Sequence, residues 1–395
     1  MIYIPIDLYE IYYYDFDGNL VLPLTKWNRA EFTQRVNNPW NSVFELVLSK
    51  SDPLGPLLRA LKRDYILHIY RTDSFTGERT RVYEGLHNTV YEQVRTDGNI
   101  FFGLYSSGYT RFLERRSVVP PTGAENVHKV GKAETLIKAF VYENLVNPQT
   151  VTFTLGAGTT AKTFIVPSEL RKLNGLVIAE DLAQGSDTEY TARFTLLDSV
   201  VSTLAENGEL FFGIYSRDRI GQFIFDCRPV WGTDRRVDNT AGINPVVFSL
   251  ELGNMILPIL STNTRYEKNF LYIGGEGEGT NRQIAIMQDF SSITESPWGL
   301  SELFVDARGA NTSAGLLAIG SKTLKERGKL RTLEFEITND LPIQRWPGTW
   351  GLGDLVTAYY MDERFDKRIN EIHINVNSSS VSQTQEQISV ELEDV

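Results

Sequence analysis

Residues 272–284 read YIGGEGEGTNRQI, and this glycine-rich stretch decides between a nucleotide-binding fold and a β-rich one. A dinucleotide-binding loop needs the spacing G-x-G-x-x-G after a strand and at the start of a helix. Here the glycines surround Glu276 and Glu278, and two carboxylates would repel a pyrophosphate. The residues that follow, RQIAIMQDF, alternate as a strand does. The stretch therefore predicts a hairpin turn, in which glycine allows positive φ angles or a close backbone approach.

A second stretch, GKAET at 131–135, is similar to the end of a phosphate-binding P-loop. That motif needs an upstream glycine, and this chain has Asn126 at that place. It also needs a Ser or Thr to bind magnesium, and this chain has Ala133. The stretch therefore predicts a loop that leads into a helix.

The composition favours a folded protein of two to four domains, because the chain has 395 residues, of which 42% are hydrophobic and 23% charged. A net charge of −11 argues against specific nucleic-acid binding, which depends on clustered Lys and Arg. The single cysteine, Cys227, excludes an internal disulfide framework and indicates synthesis in a reducing cytoplasm. The N-terminal MIYIPIDLYE does not look like a signal peptide, and no run approaches the ~20 apolar residues of a membrane span.

No motif for catalysis or metal binding is present in the sequence. His68, His87, His128 and His373 are scattered singly, without H-E-x-x-H or paired cysteines, and G-x-S-x-G is absent. Cys227 follows an apolar run, which favours packing as a small hydrophobe over nucleophilic chemistry. The carboxylate separation that glycoside hydrolysis needs cannot be read from a sequence. We therefore predict no catalytic, cofactor-binding or metal-binding residues and no cofactor.

Strand patterns dominate, so the expected fold is α+β and predominantly β. Asp17-Gly18 and Asp97-Gly98 each lie between two apolar runs and predict hairpins. A short helix is expected where Asp52 caps a stripe of Leu57, Leu58 and Leu61. Three domains are predicted, with bounds 1–120, 121–234 and 235–395.

Two longer helices are expected in the middle domain. The first follows the helical spacing of five residues: Leu136, Ile137, Phe140, Val141 and Leu145. The second has a face of Phe194, Leu197, Val200, Val201 and Leu204. Gly208 is expected to end it as a left-handed cap.

Two short segments of similar sequence, called the echo segments here, lie in two of the predicted domains. NIFFGLYSSGY begins at Asn99 and ELFFGIYSRDR begins at Glu209, and the two share a six-residue core. A true repeat would favour a pseudo-symmetric assembly. Chance similarity between two hairpin strands is the other interpretation, and so short a match leaves both open.

Six segments together occur in an order typical of one viral family. They are GKAETLIKAFVYENLVNP, VIAEDLAQGSDTEYTARFTLLDSVVSTLAENG, VVFSLELGNM, YIGGEGEGTNRQI, SELFVDARG and WGLGDLVTAYY. Over residues 40–392 the chain thus resembles the ReqiPepy-six, gene-product-thirty-seven-like family of long-tailed phages. Each motif alone is weak, and their shared order carries the resemblance.

The resemblance implies a structural hub of the baseplate or tail tip, not an enzyme. Such hubs are homotrimers around an axial channel, and each chain has two related antiparallel β-barrel domains that dock onto a hexameric tail tube. The expected partners are the distal tail or tail tube protein, the tape measure protein, and tail fibre or tip proteins. The expected location is the virion tail tip, reached after synthesis in the host bacterial cytoplasm.

The resemblance also implies roles for particular residues. Asp306, Arg308 and Asp354 would hold loops through charge-assisted hydrogen bonds, with simple solvation of these charges as the other interpretation. Trp350 and Arg368 are further interface candidates, and Arg368, like Arg364, would pair with nearby carboxylates or across a subunit boundary. A structural turn would be formed by Gly274, Gly275, Gly277, Gly279 and Arg282.

Two features of the chain depart from the family pattern, and two other functions remain open. The chain stops after EQISVELEDV, so cell-wall cutting and host recognition are expected in other proteins. The N-terminal MIYIPIDLYEIYYYD is less typical of the family. The alternative functions are a tail-associated glycan hydrolase and a carbohydrate-binding tail protein that uses Trp346 or Trp350 as a sugar platform.

Overall fold

The computed structural model describes residues 8–156, 161–308, 313–338, 344–379 and 383–394. Most of the regular structure is β, and a smaller helical part lies in the middle of the chain, as predicted. The chain forms two compact units. The predicted domain bounds remain a prediction about finer divisions. None of the described helices combines the length and apolar character needed to cross a membrane.

The first unit contains Met1–Ile256 and Glu336–Val395, and the second contains Leu257–Phe335. In chain order the strands are β1 (Leu8–Tyr14), β2 (Leu20–Leu24), β3 (Arg29–Arg35), β4 (Asn41–Leu48), β5 (Ile66–Thr72), β6 (Arg79–Val94), β7 (Ile100–Ser107), β8 (Val127–Lys132), β9 (Val151–Leu155), β10 (Lys162–Val166), β11 (Leu176–Ile178), β12 (Asp187–Ala192), β13 (Phe211–Ser216), β14 (Phe223–Arg228), β15 (Val247–Ser249), β16 (Met255–Asn263), β17 (Phe270–Gly274), β18 (Ile284–Gln288), β19 (Glu302–Asp306), β20 (Leu330–Ile337), β21 (Leu355–Tyr360), β22 (Glu363–Ser379) and β23 (Gln383–Asp394). The helices are α1 (Leu54–Arg59), α2 (Ala133–Val141), α3 (Ser168–Arg171), α4 (Leu197–Gly208), α5 (Phe290–Glu295) and α6 (Ser313–Arg327).

A large antiparallel sheet forms the core of the first unit, with strand order β23-β22-β3-β4-β7-β6-β5-β1-β2. β21 pairs with the start of β22 and, in parallel, with β15. β4 shows why these residues form strands, since Ser42, Phe44, Leu46 and Leu48 alternate inward while their neighbours face outward. Within the described ranges no pairing closes this sheet into a ring, so the expected barrels remain a prediction.

Both hairpins predicted from Asp-Gly pairs are confirmed. Gly18, with a φ of +85°, lies in the turn between β1 and β2, where Asp15 Oδ1 accepts the amide of Asn19 at 2.8 Å. Gly98, with a φ of +84°, lies in the turn between β6 and β7. A positive φ has little cost for glycine, which explains why these two positions turn the chain.

The helical part lies in the first unit and packs α2 against α4. The predicted first helix is confirmed: α2 continues into one π-helical turn, Tyr142–Val146. All five residues of its predicted face are buried. Gly208 brings the helices together, because a Cβ there would lie 2.4 Å from the Cβ of Ala133.

Two details of the predicted second helix are wrong. Phe194 lies outside α4, with a φ of +53° and half of its surface exposed, because this segment pairs with residues 116–118 before the helix begins. Gly208 is the last helical residue, and Glu209 takes the left-handed cap position with a φ of +53°. The stripe predicted on α1 is also incomplete, since Leu57 is exposed while Leu58 and Leu61 are buried.

The two echo segments are strands with the same inward face. Phe102 and Leu104 in β7 are buried, as are Phe212 and Ile214 in β13. Their pairing differs, since β7 lies between β4 and β6 whereas β13 pairs with β14. The strand assignment is confirmed, and the repeat remains a prediction.

The second unit contains a three-stranded sheet covered on one face by α6, together with α5 and most of β16 and β20. β17 lies between β18, which is antiparallel to it, and β19, which is parallel. Its buried core contains Leu271, Ile273, Ala307 and Leu316. The helix lies close to the sheet at Gly320, where a Cβ would be 2.9 Å from the Cδ1 of Ile273.

We expect Leu204→Ala to lower the free energy of unfolding by about 2–5 kcal/mol, because Leu204 is fully buried between α2 and α4 and its truncation leaves a cavity. Leu170→Ala is the control, since Leu170 is 75% exposed, and should change stability by no more than about 0.5 kcal/mol. Urea unfolding followed by helical circular dichroism measures both. Equal effects of the two substitutions would contradict the packing described.

Candidate functional site

The glycine-rich stretch is a hairpin turn between β17 and β18. The amide of Gly275 donates to the carbonyl of Gln283 at 2.8 Å. Gly277 has a φ of +101°, and a Cβ there would lie 2.6 Å from the carbonyl oxygen of Asn281. At Gly274 a Cβ would lie 2.6 Å from the ring of Phe304. Glycine at these positions therefore allows the chain to fold back on itself where there is no room for a side chain.

Arg282 fastens this turn to the end of β19. Its Nη2 donates to Asp306 and, at 2.9 Å, to the carbonyl of Gly274, while its Nε donates to the carbonyl of Gly275 at 3.1 Å. Arg308, largely exposed, lies 3.4 Å from the same Asp306 carboxylate. The guanidinium of Arg282 is thus engaged within the turn and is not aimed at an external phosphate.

Asp354 closes a second loop, in the first unit. Its carboxylate accepts the amides of Thr233 at 2.6 Å and Gly351 at 2.9 Å, and Arg235 Nε at 3.1 Å. Burial raises the pKa of Asp354, because desolvation of the charged form outweighs these donors. The carboxylate therefore ties together residues 233–235 and 351–354.

The tryptophans considered for a sugar platform are core residues. Trp346 is 1% exposed and Trp350 is 2% exposed. Trp350 packs edge-on against the Phe248 ring, with centroids 5.6 Å apart. Neither ring therefore offers the open face on which a sugar would stack.

The two arginines of the 363–368 region have separate surroundings. Arg364 Nη2 lies 2.7 Å from carboxylate oxygens of Asp238 and Asp366. Arg368 lies over the Phe211 ring at 4.4 Å, and burial lowers the pKa of its guanidinium. In the first unit the predicted candidates lie at the Asp354 loop and on β22, where Arg368 pairs with Leu355 next to that loop. The other candidates form the turn of the second unit.

A buried ionic cluster that sequence reasoning missed lies in the first unit. Arg71, with no exposed surface, holds Glu386 through two parallel hydrogen bonds of 2.8 and 3.0 Å. Tyr9 also donates to Glu386. Arg71 Nη1 lies 3.4 Å from Asp73, and Arg345 Nε lies 2.6 Å from the same carboxylate. Two guanidinium groups and two carboxylates thus compensate one another.

Asp73 is the branch point of this ionic cluster. Burial opposes its ionisation, but the hydrogen bonds from Thr76, Arg345 and Phe75 outweigh burial and hold the pKa of its carboxyl well below the usual range. The cluster joins β5, β23 and the loop around Trp346, over which Arg71 lies at 6.0 Å. Because its members are as far as 315 positions apart, no local pattern could have indicated it.

A second buried network has the residue types of a hydrolase without its arrangement. His68 Nε2 lies 3.4 Å from Ser216 Oγ and 3.2 Å from Tyr109 OH. Its Nδ1 faces the hydroxyl of Tyr70 at 3.4 Å, where a catalytic triad would place a carboxylate. The His68 ring is fully buried, and burial lowers its pKa to about 3. The His68 ring is therefore shut off from solvent, and its contacts join β5 to β13 and to Tyr109.

The single cysteine is a buried thiol without the features of an activated nucleophile. Burial raises the pKa of the Cys227 thiol to about 12, which opposes the thiolate that a nucleophile needs. Within the described part of the chain, no three His, Cys, Asp or Glu residues are grouped as metal ligands would be.

Comparison with known proteins identifies a matching family model and solved structures of similar fold. Residues 10–387 match the family model described as Siphovirus ReqiPepy6 Gp37-like protein. No curated protein matches the chain. In structure the chain resembles the 43 kDa tail protein of prophage MuSo2 from Shewanella oneidensis, with a TM-score of 0.61, 11% identity, and 97% of each chain covered.

Two more solved structures have similar folds. The tail protein from Neisseria meningitidis MC58 gives a TM-score of 0.59 at 13% identity, over 97% of this chain and 96% of that one. A chain of the Francisella PdpA–VgrG complex gives 0.54 at 10% identity, over 98% of this chain and 52% of that one. The chain therefore has a phage tail protein fold.

We expect Arg71→Met to lower the free energy of unfolding by about 3–5 kcal/mol, because it leaves the carboxylates of Glu386 and Asp73 without their shared cation. Lys26→Met removes an ion pair whose lysine is 60% exposed and should cost no more than about 1 kcal/mol. Denaturant unfolding compares the two. An Arg71→Met protein as stable as the control would refute the importance of the ionic cluster.

We expect Gly277→Ala to destabilise the hairpin by about 1–3 kcal/mol, because its φ of +101° strains any other residue. Gly279→Asn is the matched control, since Gly279 has a φ of +57°, which Asn adopts readily, and open space around it. Hydrogen exchange of the β17 and β18 amides reports the local opening. Faster exchange in the control than in Gly277→Ala would contradict the turn geometry.

Proposed function

The chain belongs to the Siphovirus ReqiPepy6 Gp37-like family, and from this premise we propose that it is the structural hub of a long-tailed phage tail tip. In this role three copies form a ring that joins the tail tube to the tip and surrounds the DNA channel. The ring contacts the distal tail or tube protein, the tape measure protein and the fibre or tip proteins. It acts in the virion after synthesis in the host cytoplasm.

One observation carries the proposal: the likeness to a tail protein extends over the whole chain. The Shewanella prophage tail protein and this chain each align over 97% of their length. A shared fold does not by itself establish a shared function. Here the family match over residues 10–387 adds an independent reason to place the chain in a phage tail.

The polar interior supports a structural role over a catalytic one. Arg71 is bound by two carboxylates, and His68 is enclosed by hydroxyl groups. Groups that bind or transform a ligand need an open face, which these buried groups do not offer. With Trp346 and Trp350 buried as well, no observation favours the glycan hydrolase or the sugar-binding protein.

The charge of the chain supports a channel role. With a net charge of −11 per copy, three copies around the axis together carry a net charge of −33. A surface of one sign repels a polyanion of the same sign and weakens its non-specific binding. DNA could then pass through the ring without adhering to it.

An exposed apolar face supports assembly with other chains. Ile286 on β18 and Phe304 on β19 flank Tyr272, on the face of the second unit's sheet opposite its buried core. Ile286 is 55% exposed and Phe304 is 50% exposed. Contiguous apolar surface of this kind marks interaction sites in proteins that assemble.

The proposal is tested by the mass of the purified protein, alone and mixed with the distal tail protein of the same phage. Light scattering coupled to size exclusion should give three times the 44.7 kDa of one chain in at least one of these samples. Negative-stain images should then show three-fold rings with a central opening. A monomer in both samples would contradict the hub.

A further inference from the structure

A cavity of about 530 Å³ opens in the first unit, away from the ionic cluster and the loops described above. It lies where the one-turn extension of α2, the ends of β5 and β14 and the 172–175 loop meet. Its floor is apolar and consists of side chains that belong to the helical core: Ile66, Leu86, Phe112, Leu145 and Phe223.

The mouth of this cavity is basic, although the chain as a whole is acidic. Four cationic side chains line it, those of Arg63, Arg115, Arg116 and Lys172, and one carboxylate, that of Asp64. Arg115 lies 2.5 Å and Arg63 lies 3.4 Å from Asp64, so these two arginines share a single negative charge. The mouth therefore keeps an excess of positive charge.

Arg116 is hydrogen-bonded to backbone carbonyls and to no described carboxylate. Its Nε donates to the carbonyl of Arg171 at 2.9 Å and its Nη1 to the carbonyl of Arg115 at 3.0 Å. Carbonyl oxygens orient the guanidinium without neutralising it. Across the described residues no carboxylate lies within ion-pair distance of Arg116 or Lys172.

The neighbouring Arg171 adds to this positive potential. It is 8% exposed and is held by Asn144 Oδ1 at 2.8 Å and the carbonyl of Ser117 at 3.1 Å. Burial and the nearby Arg116 charge lower the pKa of Arg171, and burial and Arg115 do the same to Arg116. Both guanidinium groups are thus held in a place where an anion would stabilise the protein.

We propose that this cavity binds an acidic peptide segment of a partner protein, which inserts one large apolar side chain into the floor and places carboxylates against the basic mouth. That the partner is another tail protein rests on the proposed function. The binding chemistry itself rests on the cavity alone. The segment would place carboxylates against Arg116 and Lys172, for which no described residue supplies a carboxylate within ion-pair distance.

The arrangement of the cations favours a peptide over other anions. They come from separate segments, at residue 63, residues 115–116 and residue 172. The single head group of a fatty acid reaches one or two of them, whereas a segment with several carboxylates reaches all. Nucleic acid is disfavoured, because the net charge of −11 repels an extended polyanion while a short segment enters the local basic mouth.

The test uses fluorescein-labelled pentapeptides with Phe, Leu or Trp at the centre and Asp or Glu on both sides. Fluorescence anisotropy with the full-length protein should show saturable binding that weakens as salt rises. Arg116→Gln and Lys172→Glu should each weaken it roughly tenfold, the change that corresponds to about 1.4 kcal/mol. Lys172 is exposed, so its variant tests the cavity without depending on a buried group.

Matched controls separate the cavity from general charge. Arg111→Gln and Lys50→Glu make the same charge changes at residues that do not line the cavity, and they should bind as the wild type does. Thermal unfolding of every variant verifies the fold.

Three results would overturn the proposal. The first is no saturable binding by any peptide. The second is an equal loss of binding in the control variants. The third is binding of decanoate or oligothymidylate in the cavity while the peptides do not bind there. The mass of the wild-type protein is measured in the same samples. Trimers that bind no peptide would overturn the cavity proposal and leave the hub proposal intact. Peptide binding by a protein that never trimerises would overturn the hub proposal and leave the cavity proposal intact.

Discussion

The bidentate pair of Arg71 and Glu386 joins β5 to β23, which are far apart in the sequence, and constrains how the first unit is built. A guanidinium without solvent access must be neutralised and fully hydrogen-bonded, since an unpaired buried charge is strongly destabilising. Glu386 lies on β23 and Arg71 on β5, so the pair forms only when both strands have their observed registers. Asp73 and Arg345 extend the same requirement to the loop that contains Trp346. Local sequence patterns leave strand register free to slip, and this cluster removes that freedom.

The register of β22 transmits this constraint along the sheet. β22 has 17 residues and pairs with β3, β21 and β23, so it joins the beginning and the end of the chain. Ile372, Ile374 and Val376 point into the core from this strand, and a shift of one residue would turn them outward. The glycine turn of the second unit and the Asp354 loop are local structures. Each is held by one side chain that binds nearby backbone groups.

The features predicted correctly from the sequence depend on neighbours in the chain. The Asp-Gly pairs identified two hairpins, and the spacing from Leu136 to Leu145 identified α2. The start of α4 was placed too early, because a bridge to residues 116–118 holds Phe194 outside the helix. The ionic cluster and the basic cavity could not be predicted, since each joins residues that only the tertiary fold brings together. The order of the six motifs indicates the family, although each motif alone is weak.

The buried guanidinium groups of Arg71 and Arg345 are matched by carboxylates of their own chain, whereas Arg116 at the cavity mouth is bound only by backbone carbonyls, and this contrast links the structure to the proposed assembly. The most direct measurement of the central claim is a cryo-electron microscopy map of the tail tip of the phage that encodes this chain. The hub account predicts three copies around the axis between the tail tube and the tip, with an axial opening. A map that places the chain off the axis, or in any number other than three around it, would contradict the account.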